Sequence, residues 1–137
     1  MKRSVAREQA FILIFEKSFN DGELAELIEY ATEYCGWKTG QFMERLAKGT
    51  LENLGQIDAL IEESCIGWKK ERIPRVSLSI MRLCCYEILY EPEIPVGVSI
   101  DEAVELAKKF ASAEDASYIN GVLGTIARKS GAEAQKS

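Results

Sequence analysis

Residues 77–90 read Ser77-Leu78-Ser79-Ile80-Met81-Arg82-Leu83-Cys84-Cys85-Tyr86-Glu87-Ile88-Leu89-Tyr90. Ile80, Leu83, Cys84 and Ile88 fall three and four residues apart, which places them on one face of a helix. Pro74 and Val76 introduce the segment, and Ser77 is expected as its N-cap because a serine hydroxyl can accept from a free first-turn amide. Glu91-Pro92 and Ile94-Pro95 end it in an extended loop, since proline disfavours helix in the residue before it.

The same period runs outward in both directions. Towards the N-terminus, Ala6, Ala10, Leu13 and Ile14 predict a helix from about Val5 to Phe19, stopped by Asn20-Asp21-Gly22. Leu24, Leu27 and Ile28 predict a second helix from Glu23 to Cys35, stopped by Gly36. A third runs from about Thr39 through Phe42, Leu46 and Leu51, with Gly55 as a possible break, and a fourth carries Ile57, Leu60 and Ile61 to Cys65. Towards the C-terminus, Ser99-Ile100-Asp101-Glu102 has the form of a capping box, so a sixth helix is expected to begin at Ser99 and to bury Ala103, Leu106, Ala107 and Phe110. A seventh, from about Asp115 to Arg128, uses Ile119, Val122, Leu123 and Ile126, with Gly121 as a point where another backbone could approach closely. No run of alternating β-branched residues appears. The expected fold is all-α, about seven helices in two small packed bundles, at about residues 1–54 and 55–130, followed by a flexible polar tail at 131–137.

A chain of 137 residues can bury roughly two-thirds of the surface its unfolded form exposes, enough for one domain with a real core. Hydrophobic residues make up 47% and charged residues 28%, the balance of a folded globular chain. No stretch approaches the ~20 apolar residues of a membrane helix, and the opening residues have no signal-peptide pattern, so a cytoplasmic protein without membrane association is expected. Cys35, Cys65, Cys84 and Cys85 show no C-x-x-C spacing and histidine is absent, which speaks against a zinc site and for reduced, structural thiols. The missing histidine also removes the usual general base, and no nucleotide-binding or hydrolase motif is present. Neither an enzyme nor a bound cofactor is expected.

A formal net charge of −5 excludes a protein that coats nucleic acid indiscriminately. The charges are segregated, however. Asp21, Glu23, Glu26, Glu29 and Glu33 follow one another without a lysine or arginine between them. Basic residues gather at Lys2, Arg3 and Arg7, at Lys69, Lys70, Arg72, Arg75 and Arg82, and at Lys108, Lys109, Arg128 and Lys129. Each group, taken alone, could equally be a solvated helix face. Arg3 and Arg7 are four apart and so share a face of the first helix, where an exposed basic start could pair with phosphates and lay guanidinium planes on bases. Phe11 and Phe15 continue that step and read better as core aromatics, whereas Tyr118 lies off its helix's apolar stripe and fits either a stacking platform or surface packing.

Several blocks together resemble the NusB family: Leu83 to Tyr90, then Ile94-Pro95, then Ser99 to Phe110, then Tyr118-Ile119-Asn120-Gly121-Val122-Leu123. Ala6-Arg7-Glu8-Gln9-Ala10 is similar to that family's arginine-rich opening, and with Ile57-Asp58 and the Trp68 to Arg75 region the likeness extends from about Arg3 to Arg128. The resemblance implies a transcription antitermination and termination factor that binds boxA-containing single-stranded RNA of ribosomal RNA operons. It implies as partners NusE, which is ribosomal protein S-ten in its transcription role, and the transcription elongation complex. On the same ground Lys2, Arg3 and Arg7 are expected at the RNA backbone, Tyr118 at a base and Glu114 nearby, while Ser77, Arg82 and Glu87 are expected to face the protein partner. The chain departs from the family pattern at Ser4 and Val5, where basic residues commonly run on, and at Ser77, where an acid is frequent. Two other readings compete: an RNA-binding module like that of ribosomal RNA cytosine methyltransferases, which is not expected because residues 1–137 contain no catalytic domain of that kind, and a helical scaffold that binds protein only.

Overall fold

A computed structural model describes residues 2–67 and 70–136, Lys70 by its backbone alone. Trp68 and Lys69, named above, lie outside the described residues. The described residues form eight α-helices and no strand: α1 (Arg3–Lys17), α2 (Leu24–Tyr34), α3 (Gln41–Glu52), α4 (Leu54–Ser64), α5 (Arg75–Tyr90), α6 (Val96–Phe110), α7 (Ala113–Ser130) and α8 (Ala132–Lys136). A single 3-10 turn, Lys70–Arg72, precedes α5. None of the described helices is long and apolar enough to cross a membrane.

The stretch that decides the fold is also its axle. Every residue of α5 from Ser77 to Ile88 except Arg82 is buried, and the helix packs against α1, α3, α4, α6 and α7. A helix apolar on most of its circumference must be enclosed on most sides, which is how one helix can hold five neighbours together. Its cysteines serve as core filling: burial pushes the Cys84 thiol well above its usual value and the Cys85 thiol up to about 12. All four cysteines are free thiols, and only Cys35 is exposed.

Several boundaries differ from the sequence expectation, each for a local reason. The third helix breaks at Asn53 rather than Gly55; the Asn53 Nδ2 donates to the Gly49 carbonyl at 2.7 Å, and α4 runs through Gly55. α5 begins at Arg75 with Pro74 as N-cap, and Ser77 lies inside the first turn with a buried hydroxyl that has no hydrogen-bond partner among the described residues. α6 likewise begins at Val96, with Pro95 as N-cap, so Ser99 and Glu102 do not form a capping box. Both prolines hold φ of −54° and −59° with extended ψ of 139° and 140°, the non-helical conformation of an N-cap residue, and neither start has a side-chain cap. The serine cap that does form is Ser112, whose Oγ accepts from the Asp115 amide at 3.0 Å and starts α7 two residues after α6 ends. Beyond Gly131, which adopts a left-handed φ of +70° as helices favour at their end, residues 132–136 form α8 where a polar tail was expected. The Lys136 Nζ donates to the Glu87 and Ile94 carbonyls at 3.1 and 2.8 Å, tying this last turn to the end of α5.

The close approach is at Gly49, not Gly121, and it is made by the Tyr86 ring rather than by another backbone. A Cβ on Gly49 would fall 2.3 Å from the Tyr86 ring, while one on Gly121 would meet nothing within 4 Å. Glycine at 49 lets α3 lie against α5 and so brings the start of α3 beside the start of α1.

Candidate nucleic-acid interface

The N-terminal turn of α1 presents its basic residues to solvent. Lys2 is the exposed N-cap, its carbonyl accepting from the amides of Val5 and Ala6, and Arg3 follows it, also exposed. The Arg3 guanidinium carbon stands 4.3 Å from the centroid of the Phe42 ring, in the first turn of α3. Arg45, one turn along α3, approaches the same ring at 5.3 Å. The negative face of an aromatic ring attracts such cations by about 0.5–1 kcal/mol at exposed sites, enough to bias where a long side chain spends its time. Phe42 and Arg45 are not among the residues that the sequence singles out as a site. Their Phe-x-x-Arg spacing marks a shared helix face, yet nothing along the chain says that α3 starts where α1 starts.

Arg7 has a different role from Arg3: contrary to the sequence expectation, the two do not share an exposed phosphate-facing surface. Arg7 is 3% exposed. Its Nε donates to both carboxylate oxygens of Glu87 at 3.0 and 3.1 Å, its Nη2 donates to Oε1 at 2.9 Å, and its Nη1 lies 3.8 Å from Glu102 Oε1. Glu87 is 1% exposed and accepts a further hydrogen bond from the Ser99 hydroxyl at 3.0 Å. One turn into α1, the side chain has passed beneath α5 and α6, so Arg7 points into protein while Arg3 points out. Glu87, expected to face the protein partner, is buried as well: its carboxylate faces Arg7 and Ser99.

The remaining expected residues fall in separate places. Ser77 is buried and does not present a partner contact. Arg82 is half-buried, gripping Asp58 with two 2.8 Å hydrogen bonds that join α5 to α4. Tyr118 is half-buried at the edge of the core, and its hydroxyl engages the Cys65 thiol at the end of α4; burial, with help from Cys65, pushes that phenol up to about 12. Any face Tyr118 offers to a base is therefore its ring, not its hydroxyl. Glu114 is exposed in the first turn of α7, where a carboxylate also favours the positive end of the helix dipole. Of the later basic group, Lys109 Nζ lies 2.7 Å from Glu8 and Lys108 Nζ 3.5 Å from Glu105.

A second basic–aromatic contact occupies the far end of α1. There the Arg75 guanidinium stacks 4.4 Å from the ring of Phe19, which is well exposed, and donates to the Ser18 carbonyl. The exposed rings on α2, Tyr30 and Tyr34, lie 5.0 Å apart on the acidic helix.

The sequence profile of the NusB family matches residues 4–128. The chain belongs to the NusB family. The transcription antitermination protein NusB of Agathobacter rectalis is 41% identical over 131 residues, covering 93% of this chain and 100% of that protein. The solved structure of T. maritima NusB is 31% identical and superposes with a TM-score of 0.82 over 94% of this chain and 92% of that one. A crystal structure of antitermination factors NusB and NusE in complex with dsRNA aligns with a TM-score of 0.83 over 93% of this chain and 96% of that one. At 23% identity it establishes a shared fold alone. NusB proteins are regulatory proteins of transcription antitermination and not enzymes, which agrees with the missing catalytic motifs.

Proposed function

We propose that this chain is a cytoplasmic transcription antitermination and termination factor. It binds boxA-containing single-stranded RNA of ribosomal RNA operons jointly with NusE, ribosomal protein S-ten, within the transcription elongation complex. The observation that carries the reading is the solvent-facing Lys2–Arg3 start of α1, with Arg3 held against Phe42, on a chain of this family. The same fold occurs in a crystal structure of NusB and NusE in complex with dsRNA, which agrees with an RNA ligand and a NusE partner without bearing on single-strand preference. In this reading Lys2 and Arg3 meet phosphates, the Tyr118 ring stacks on a base with Glu114 alongside, and the α4–α5 edge around Arg82 faces the protein partner. Arg7 and Glu87 support the site from within.

With a net charge of −5 and only a local basic corner, the chain alone is expected to bind RNA weakly, and NusE to tighten that binding. The test is a titration of boxA RNA, a scrambled strand and a duplex of the same sequence, each with and without NusE at several salt concentrations. Tighter binding of the boxA strand in the presence of NusE is the expected result. Lys2→Ala with Arg3→Ala should then flatten the log-affinity against log-salt slope by up to about 1.4, at about 0.7 per phosphate contact on a single strand. Equal affinity for boxA and scrambled RNA, with NusE making no difference, would sink the reading. NusE binding without any RNA contact would establish the protein-only scaffold instead.

A further inference from the structure

We propose that Arg45 of α3 is an RNA phosphate contact, forming with Arg3 a two-guanidinium clamp around Phe42 that binds the phosphodiester backbone. The inference rests on the reading of this corner as an RNA site and extends it to a second helix.

Arg45 is the most exposed member of a chain of held side chains. Its own side chain is 52% exposed, while that of its partner Glu91 is 9% exposed. The Arg45 Nε and Nη2 donate to the two Glu91 oxygens at 3.0 and 2.9 Å, and Glu91 in turn accepts from the Tyr86 hydroxyl at 2.9 Å. A guanidinium has five N–H bonds, so this bidentate grip leaves three for another acceptor. Phe42 constrains the same group from a second side. An arginine fixed on two sides loses little side-chain entropy when it binds, and its planar fork matches the paired oxygens of a phosphodiester.

The position suits a chain-like ligand. Arg3 and Arg45 both lie against the Phe42 ring, at 4.3 and 5.3 Å from its centroid, so their guanidinium carbons are within about 10 Å of each other. Two cations at that spacing on different helices can hold one strand at two points. Arg7 approaches the same ring at 5.6 Å but is sealed against Glu87 and lends position, not contact. The ligand is the phosphate backbone rather than a base edge, because the remaining N–H bonds sit on an open, half-exposed group.

The competing account makes Arg45 only a strut for Glu91, and the two separate in the salt dependence. With NusE present, Arg45→Gln is expected to flatten the log-affinity against log-salt slope for boxA RNA by about 0.7 relative to wild type, and Arg45→Lys to keep the slope while weakening binding. A strut would leave the Arg45→Gln slope at the wild-type value, and that result overturns the proposal. A second measurement needs no variant: in 15N-labelled wild-type protein the Arg45 Nε–H resonance should shift on addition of boxA RNA, and an unmoved resonance at saturation overturns the proposal as well. Failure of the wild-type chain to bind RNA at all would instead overturn the reading on which it rests.

Discussion

Glu87 and Glu91 stand one turn apart at the C-terminal end of α5, and each is gripped by an arginine from another helix. The two pairs use the same fork-to-carboxylate chemistry at nearly the same distances. They differ in burial. The Arg7–Glu87 side chains are 4% and 2% exposed, whereas Arg45 leaves half of its surface in water. A carboxylate near the negative end of a helix dipole is unfavourable by itself, so both need a cation, and the Lys136 ammonium on the Glu87 and Ile94 carbonyls adds a third at that helix end. One pair is therefore purely internal, holding α1 against α5 and α6. The other fastens α3 to α5 and still shows a face to solvent. Identical pairing chemistry does not tell a structural arginine from one that can meet a ligand; the neighbours that cover it do.

The comparison breaks most visibly in stability. Arg7→Ala leaves the Glu87 carboxylate buried without its cation and is expected to cost about 3–5 kcal/mol. Arg45→Ala removes a half-exposed partner and is expected to cost about 1 kcal/mol or less. Urea unfolding of both variants measures the contrast, and equal losses would show that burial does not divide the two pairs. Replacing Arg7 and Glu87 together by Met and Leu should recover most of the loss, because no uncompensated charge then remains.

Gly49 sharpens the comparison from the α3 side. Gly49→Ala would place a methyl group 2.3 Å from the Tyr86 ring and 2.7 Å from its hydroxyl, displacing the donor that holds Glu91. A loss of about 1–3 kcal/mol is expected from overpacking. Gly55→Ala is the control: its Cβ would meet nothing within 4 Å, and the same substitution there should gain about 0.4–1 kcal/mol. Thermal midpoints moving the same way in both variants would place the close approach elsewhere.

The helices themselves were legible because apolar spacing reports the period directly: Ile80, Leu83, Cys84 and Ile88 marked one buried face of α5, though not its enclosure on most sides. The starts of α5 and α6 were not, because Ser77 and Ser99 imitate caps while Pro74 and Pro95 begin the helices a few residues earlier. Ser99 proved to be a donor to Glu87, twelve residues back in the chain. The geometry of the candidate site was half legible. Arg3 and Lys2 stand out as an exposed basic start, but Arg7 shares Arg3's face at the same spacing and lies 80 residues from the carboxylate that captures it. Helix periodicity gives direction around one helix, not depth beneath the others. Phe42 and Arg45 escaped for the same reason, since their relation to Arg3 exists only once α3 docks beside α1.

The smallest expected effect concerns pH and isolates the Glu91 pair. Burial by itself would raise the Glu91 carboxyl. The hydrogen bonds from Arg45 and Tyr86, together with the charges of Arg45 and Arg3, outweigh it and hold the group below its usual value. A carboxyl whose value is lower folded than unfolded adds stability that is fully present above the unfolded value, about 4.3 for glutamate, and is lost as pH falls through the folded value. The wild-type chain should accordingly lose an increment of stability below about pH 4.3 that Glu91→Gln, with no proton to gain, does not lose. Arg45→Gln should shrink that increment as well, because it removes both the hydrogen bonds and the nearest charge. Since Arg45 is half exposed, the increment should be small, below about 1 kcal/mol, and should diminish further in high salt. Urea midpoints for the three proteins between pH 3 and 6 measure it; parallel curves for wild type and Glu91→Gln would mean that the Arg45 grip is already loose in solution and that its guanidinium is not held in place for a ligand.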